Sequence, residues 1–147
     1  MTPQQSIEFE CDRRGRHVVI EDCMAIVSGR RVNDDFLRVI GGPSAENVLE
    51  GRDGGVDGYW PRVWAVRGLL HVWDDVATDA IIDATTHEAW RVREVAATVI
   101  ARHHVRQAID AVVMLLDDEN ARGANGGEQG FSRRRRVVDS TATVVVR

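Results

Sequence analysis

Lysine is absent from this chain, so all 19 basic residues other than histidine are arginine. That absence removes the phosphate-loop lysine, the Schiff-base lysine and the lysine general base together. It also fits a GC-rich coding sequence, which can specify arginine but not lysine. Cysteine is scarce, with only Cys11 and Cys23 in 147 residues. A disulfide scaffold of this length would want more, so reduced thiols in a bacterial cytoplasm are expected. No apolar run approaches the roughly 20 residues of a membrane span. The start, Met1-Thr2-Pro3-Gln4-Gln5, has no basic patch followed by an apolar run, so no secretory signal is expected. Aromatics make up 5% of the chain, yet four of them are tryptophan, and all four fall between Trp60 and Trp90.

Charge is uneven. Residues 1 to 122 carry 14 Arg against 21 Asp and Glu, a net −7, whereas the last 25 residues carry 5 Arg against 2 acids, a net +3. An acidic body repels a phosphate backbone. Nucleic acid is therefore expected to meet only the run Arg133, Arg134, Arg135 and Arg136, and non-specifically.

Helical periodicity runs through most of the chain. Residues 1 to 16 are polar, with Ile7 and Phe9 as the only anchors, and are expected to be weakly ordered. Val19, Ile20, Cys23, Met24, Ile26 and Val27 fit one helical face ended by Gly29. Asn33 suits the N-cap of a second helix that stops at Gly41-Gly42-Pro43, and Ser44 suits the cap of a short third. Gly51 to Gly58 holds four glycines in eight residues and reads as a linker. A phosphate cradle would need a preceding strand and a following Lys-Ser/Thr. Pro61 fits a first helical turn, and Val63, Val66, Leu70 and Trp73 then form a stripe at i, i+3, i+7 and i+10. Val76 to Ala84 and Glu88 to Arg102 read as the next helices, the latter with Val92, Val95, Val99 and Ile100 inward. His103-His104 makes a turn, and Val105, Ile109, Val112, Val113 and Leu116 line one last helix.

The pattern repeats. Ala80-Ile81-Ile82 over Ala111-Val112-Val113 brings Glu88 over Glu119 and Arg91 over Arg122 at an offset of 31, and Arg62-Val63 over Arg91-Val92 gives 29. A helical period near 30 points to stacked helix pairs, none of which buries its apolar face alone. Two motifs carry a resemblance: Trp90-Arg91-Val92-Arg93-Glu94-Val95-Ala96-Ala97, and the descent Ala108 to Asp118. Together they resemble the HEAT repeat, in the short form named after phycobilisome lyases, over Tyr59 to Arg122. The match is partial, since the acidic residue before Val-Arg is Thr86 in one copy and Trp64 replaces an Arg in the other. The resemblance implies an all-α, armadillo-like, short right-handed α-α solenoid. Its second helices, Val76 to Ala84 and Val105 to Leu116, would line a concave surface. Residues 1–58 then form an N-terminal helical cap or degenerate repeat with the glycine-rich linker, 59–122 the HEAT-like repeats, and 123–147 a disordered tail. Shifting the back-translated frame by one base after Arg122 admits Val, Arg, Thr, Ala and Ala, so the tail also reads as a frame-shifted last repeat. Stops in that frame of the coding DNA would exclude this.

Several constellations hint at chemistry, each with a plainer reading. Trp60, Trp64 and Trp73 with Arg62 and Arg67, and Trp90 with Arg91 and Arg93, suggest an aromatic and cationic binding patch, since Trp and Arg dominate interface hot spots. The plainer reading has Trp73 in the core, the other indoles packing between repeats and the arginines paired to acids. Asp75, Asp79 and Asp83 share one helical face and can serve as acid and base or hold a divalent ion. A solvated acidic face explains them as well. His103-His104 and the set Cys11, His17, Cys23 lack the spacing of compact metal ligands. Ser28, Ser44 and Ser140 sit in no nucleophile elbow, so hydrolase chemistry lacks its parts. The expectation is a non-catalytic scaffold for an unknown protein partner, with no cofactor and no metal. Its candidate binding residues are Trp60, Trp64, Arg67, Asp75, Asp79, Trp90, Arg91 and Arg93. The alternative from the resemblance is a DNA-binding, repair or glycosylase-like protein, or a bilin lyase-like one, using the Trp, Arg and Asp cluster.

Overall fold

A computed structural model describes residues 1–114, which are all-helical, with no strand among them. The expected tail at 123–147, its arginine run and the end of the last predicted helix lie outside the described residues.

Contrary to the weak order predicted for residues 1 to 16, the chain begins with a helix, α1 (Pro3–Arg14). Thr2 Oγ1 accepts from the Gln5 amide at 3.2 Å, and Gln5 Oε1 accepts from the Thr2 amide at 2.8 Å. Such a reciprocal box satisfies two donors that a helix start leaves orphaned, and Pro3 costs no hydrogen bond there. Hydropathy hides this helix because its buried face alternates Ile7 with a charge, Glu10, only 2% exposed. Arg13 grips Glu10 through two hydrogen bonds of 3.0 Å. Arg14 reaches it at 3.4 Å and extends to Asp22 at 2.8 Å, with its guanidinium over Phe36. The Arg13 hydrogen bond outweighs burial and holds the Glu10 carboxyl below its ordinary value.

α2 (Arg16–Val27) buries Val19, Ile20, Cys23 and Ile26 on the face expected of it. α3 (Asp34–Gly41) starts at Asn33, whose side chain accepts from the Asp35 amide at 2.7 Å, as the sequence predicts. Ser44 makes no capping bond, because it closes a 3-10 turn, Gly42–Ser44, that runs directly into α4 (Ala45–Leu49). α5 (Trp60–Gly68) is followed by a 3-10 turn and α6 (Thr78–Ala84), then by α7 (Trp90–His103), which ends on His104 in the left-handed region. Residues 109–114 begin a further helix. The stripe predicted through Leu70 and Trp73 changes phase. Because α5 stops at Gly68, Leu69 and Val72 turn inward instead, at 0% and 5% exposed.

α5 is the hub, packed on α1, α2, α3 and α7, while α6 packs on α2 and α7. Close approach requires small residues. A Cβ on Gly68 would lie 3.2 Å from Cys23 Sγ, and one on Gly41 only 2.6 Å from the Trp64 ring. Val66, Val92 and Val99 are all but fully buried at these seams. Each such side chain contributes about 1.5–3 kcal/mol by leaving water. Arg16 ties α2 to the α5–α6 connection by donating to the Trp73 carbonyl. No helix among the described residues is long and apolar enough to cross a membrane.

Candidate functional site

The helix starts of α5 and α7 come together at one edge of the molecule. Trp60 opens α5 and Trp90 opens α7, and both are half-buried. The exposed guanidinium of Arg91 lies 4.6 Å from the Trp90 ring centroid and 5.5 Å from that of Trp60. Tyr59 meets Trp60 edge-on at 5.0 Å. One cation thus serves two indoles from successive helices. At an exposed site such a contact is worth about 0.5–1 kcal/mol.

The other residues expected at this patch go elsewhere. Trp64 is 4% exposed and packs against Gly41, so it belongs to the core. Arg67 is half-buried and donates to the Ile40 carbonyl at 2.7 Å. Burial lowers its pKa, yet a guanidinium stays charged. Arg93 donates to the carbonyls of His87 and Glu88 at 2.7 and 2.8 Å, bracing the turn that launches α7. Asp75 lies in the 3-10 turn before α6 and accepts from the Trp73 indole at 3.3 Å. Asp79 and Asp83 are exposed on α6. Trp73 stacks on His103 at 5.0 Å, while His103 Nε2 bonds to the Leu69 carbonyl at 2.7 Å.

Two hollows escaped the sequence reading. One, of about 170 Å³, borders Trp60 and is lined by Ser44, Val48, Asp53 and Trp64. A wider cleft of about 490 Å³ lies between the end of α6 and residues 107–114, where Ile82 and Met114 meet His87, Glu88 and Asp110. Asp53 is hidden inside the glycine-rich linker, where no sequence signal singles it out and only the structure shows its left-handed φ of 56°. Cys23 is fully buried and burial pushes its thiol well up, and Cys11 follows for the same reason. Neither has the lowered pKa of a reactive thiol. Among the described residues no group of three or more His, Cys, Asp or Glu side chains is placed to hold a metal ion.

Histidine links this edge to pH. Ala89 caps α7 without a side-chain bond, but its amide donates to His87 Nδ1 at 2.9 Å, which requires that nitrogen unprotonated. Burial, reinforced by Arg62, lowers the His87 pKa; burial likewise lowers those of His71, beside Arg102, and His103. A histidine with a lowered folded pKa binds fewer protons folded than unfolded, so its stabilisation is complete above the ordinary value and is lost as pH falls through the folded one. Stability is therefore expected to drop as pH falls below 6.5, before any loss from Glu10, which begins below 4.5. Urea midpoints at pH 7.5 and 5.5 check this, and equal midpoints would refute it. His87→Asn, whose side-chain oxygen can accept the Ala89 bond at either pH, is expected to flatten part of the dependence.

Comparison with protein-family models, curated proteins and solved structures gave no match.

Proposed function

We propose that this chain is a non-catalytic, HEAT-like helical scaffold that binds a protein partner at the Trp60, Trp90 and Arg91 edge. Support for the repeat comes from α5 and α7, whose Arg-Val motifs recur in sequence and which pack directly on one another, with α6 against α7. Stacked hairpins make this pattern of neighbour contacts, and their second helices, here α6 and the helix from 109, line a shared face. The observation that carries the binding role is the single exposed guanidinium over two half-buried indoles. Trp and Arg at such an edge supply the large contact area of interface hot spots. A DNA reading draws no support from a body of net −7.

Immobilised full-length protein and its Trp90→Ala/Arg91→Ala variant test the proposal, with circular dichroism showing that both are folded. A protein retained by the wild type and lost by the variant is expected, and any retardation of duplex DNA at low salt is expected to be equal for the two, since it would come from the arginine run at 133–136. Equal retention of protein by both, or DNA retardation that depends on Trp90 and Arg91, would overturn it.

A further inference from the structure

We infer that the hollow beside Trp60 receives one basic side chain, an arginine or lysine, of the protein partner; this rests on the scaffold reading and gives the partner's chemistry. The volume is about 170 Å³, below the roughly 300–1,000 Å³ of a small-molecule site. It suits a single side chain.

Its walls have the chemistry of a cation receptor. Half-buried Trp60 brings an indole, whose π-face attracts a cation, the core residue Trp64 also borders the hollow, and Ser44 adds a hydroxyl that is not used for helix capping. The carboxylate is Asp53, which forms no ion pair among the described residues. Its neighbour Arg52 is turned aside, held by Glu50 at 2.6 Å and Asn47 at 2.7 Å. The loop bearing Asp53 is closed by its own amides, Gly55 to the Arg52 carbonyl at 2.9 Å and Gly58 to that of Gly55 at 3.1 Å. Trp60 already takes a guanidinium from within the chain, that of Arg91 at 5.5 Å, but Arg91 does not line the hollow. The body's net −7 draws a basic partner toward it. A phosphate or carboxylate would meet Asp53 unfavourably.

The test follows the indole N–H resonances of full-length protein by NMR during titration with acetyl-Gly-Arg-Gly-amide, its lysine analogue and its neutral citrulline analogue. Trp60→Phe identifies the Trp60 signal by removing it. The arginine or lysine peptide is expected to shift that signal saturably at millimolar concentration, and the citrulline peptide is not. Asp53→Asn removes the charge without disturbing the turn, since asparagine adopts a φ of 56° at least as readily as aspartate. It is expected to weaken binding about three- to fivefold, as loss of a solvent-exposed ion pair does. Saturation by citrulline with equal affinity, or binding to Asp53→Asn within about twofold of wild type, would overturn the inference. If a partner needs Trp90 and Arg91 but binds Asp53→Asn unchanged, the hollow is refuted and the scaffold stands. If the arginine peptide saturates the hollow while no partner depends on Trp90 and Arg91, the hollow stands and the scaffold falls.

Discussion

Trp64→Ala is expected to remove about 3–5 kcal/mol of folding stability, the largest loss from any single truncation proposed here. The indole is 4% exposed at the centre of α5 and lies against the backbone of α3 at Gly41. Truncation leaves a cavity that two helices frame, so neither can close it alone. Against a typical total of about 5–15 kcal/mol, such a loss brings the protein near unfolding at room temperature. Gly41→Ala approaches the same contact from the other side. Gly41 has ordinary helical backbone, with φ −89°, so its cost is purely steric. A Cβ there would stand 2.6 Å from the ring, and overpacking of this kind costs about 1–3 kcal/mol. The two changes should not add, because a Gly41→Ala methyl fills part of the space that Trp64→Ala opens. Urea midpoints by circular dichroism measure all three proteins. A Trp64→Ala midpoint equal to the wild type's would show that the ring is not core.

Arg67→Ala is the second large effect, at about 1–3 kcal/mol. The last carbonyls of a helix have no partners further along it, and Arg67 supplies a donor to one of them, Ile40 of α3, at 2.7 Å. Its removal costs that bond and the stem packed between α3 and α5. Arg67→Met keeps much of the stem and loses only the bond, so it should fall between wild type and alanine. Amide exchange in α3 should quicken in both variants, more in alanine. Should α3 amides exchange at wild-type rates in Arg67→Ala, the bond between the helices is immaterial.

Helix identity was legible from α2 onward because apolar residues recur at helical spacing there. The Asn33 cap and Pro61 in a first turn were read correctly for local reasons that tertiary structure leaves alone. α1 was missed because half of its buried face is Glu10, and hydropathy counts an acid as solvent-facing even when two arginines neutralise it. The end of α5 at Gly68 was missed for a different reason. The valine and leucine spacing runs smoothly past it, and only packing shows that Leu69 rather than Leu70 points inward. At the candidate site, residue type pointed to Trp60, Trp90 and Arg91 together, and geometry unites them. Type could not separate these from Trp64, Arg67 and Arg93, since a tryptophan for the core and an arginine for a backbone carbonyl look the same in sequence as those for a surface. The hollow needed Asp53 and Ser44 to meet Trp60, and nothing in a linear pattern joins a linker to two helices.

The central place of α5 also shapes how the chain acquires its fold. Its bonds to distant elements close modest loops, 27 residues from Arg67 to Ile40 and 34 from His103 to Leu69, and the entropy of closure grows only with the logarithm of such lengths. Synthesis, however, delivers α1 to α4 first. Until Gly68 has emerged, Ile7 and Cys23, which meet it in the folded protein, lack the helix that shields them, so the first half of the nascent chain has no complete core to fold around and α5 arrives as its keystone.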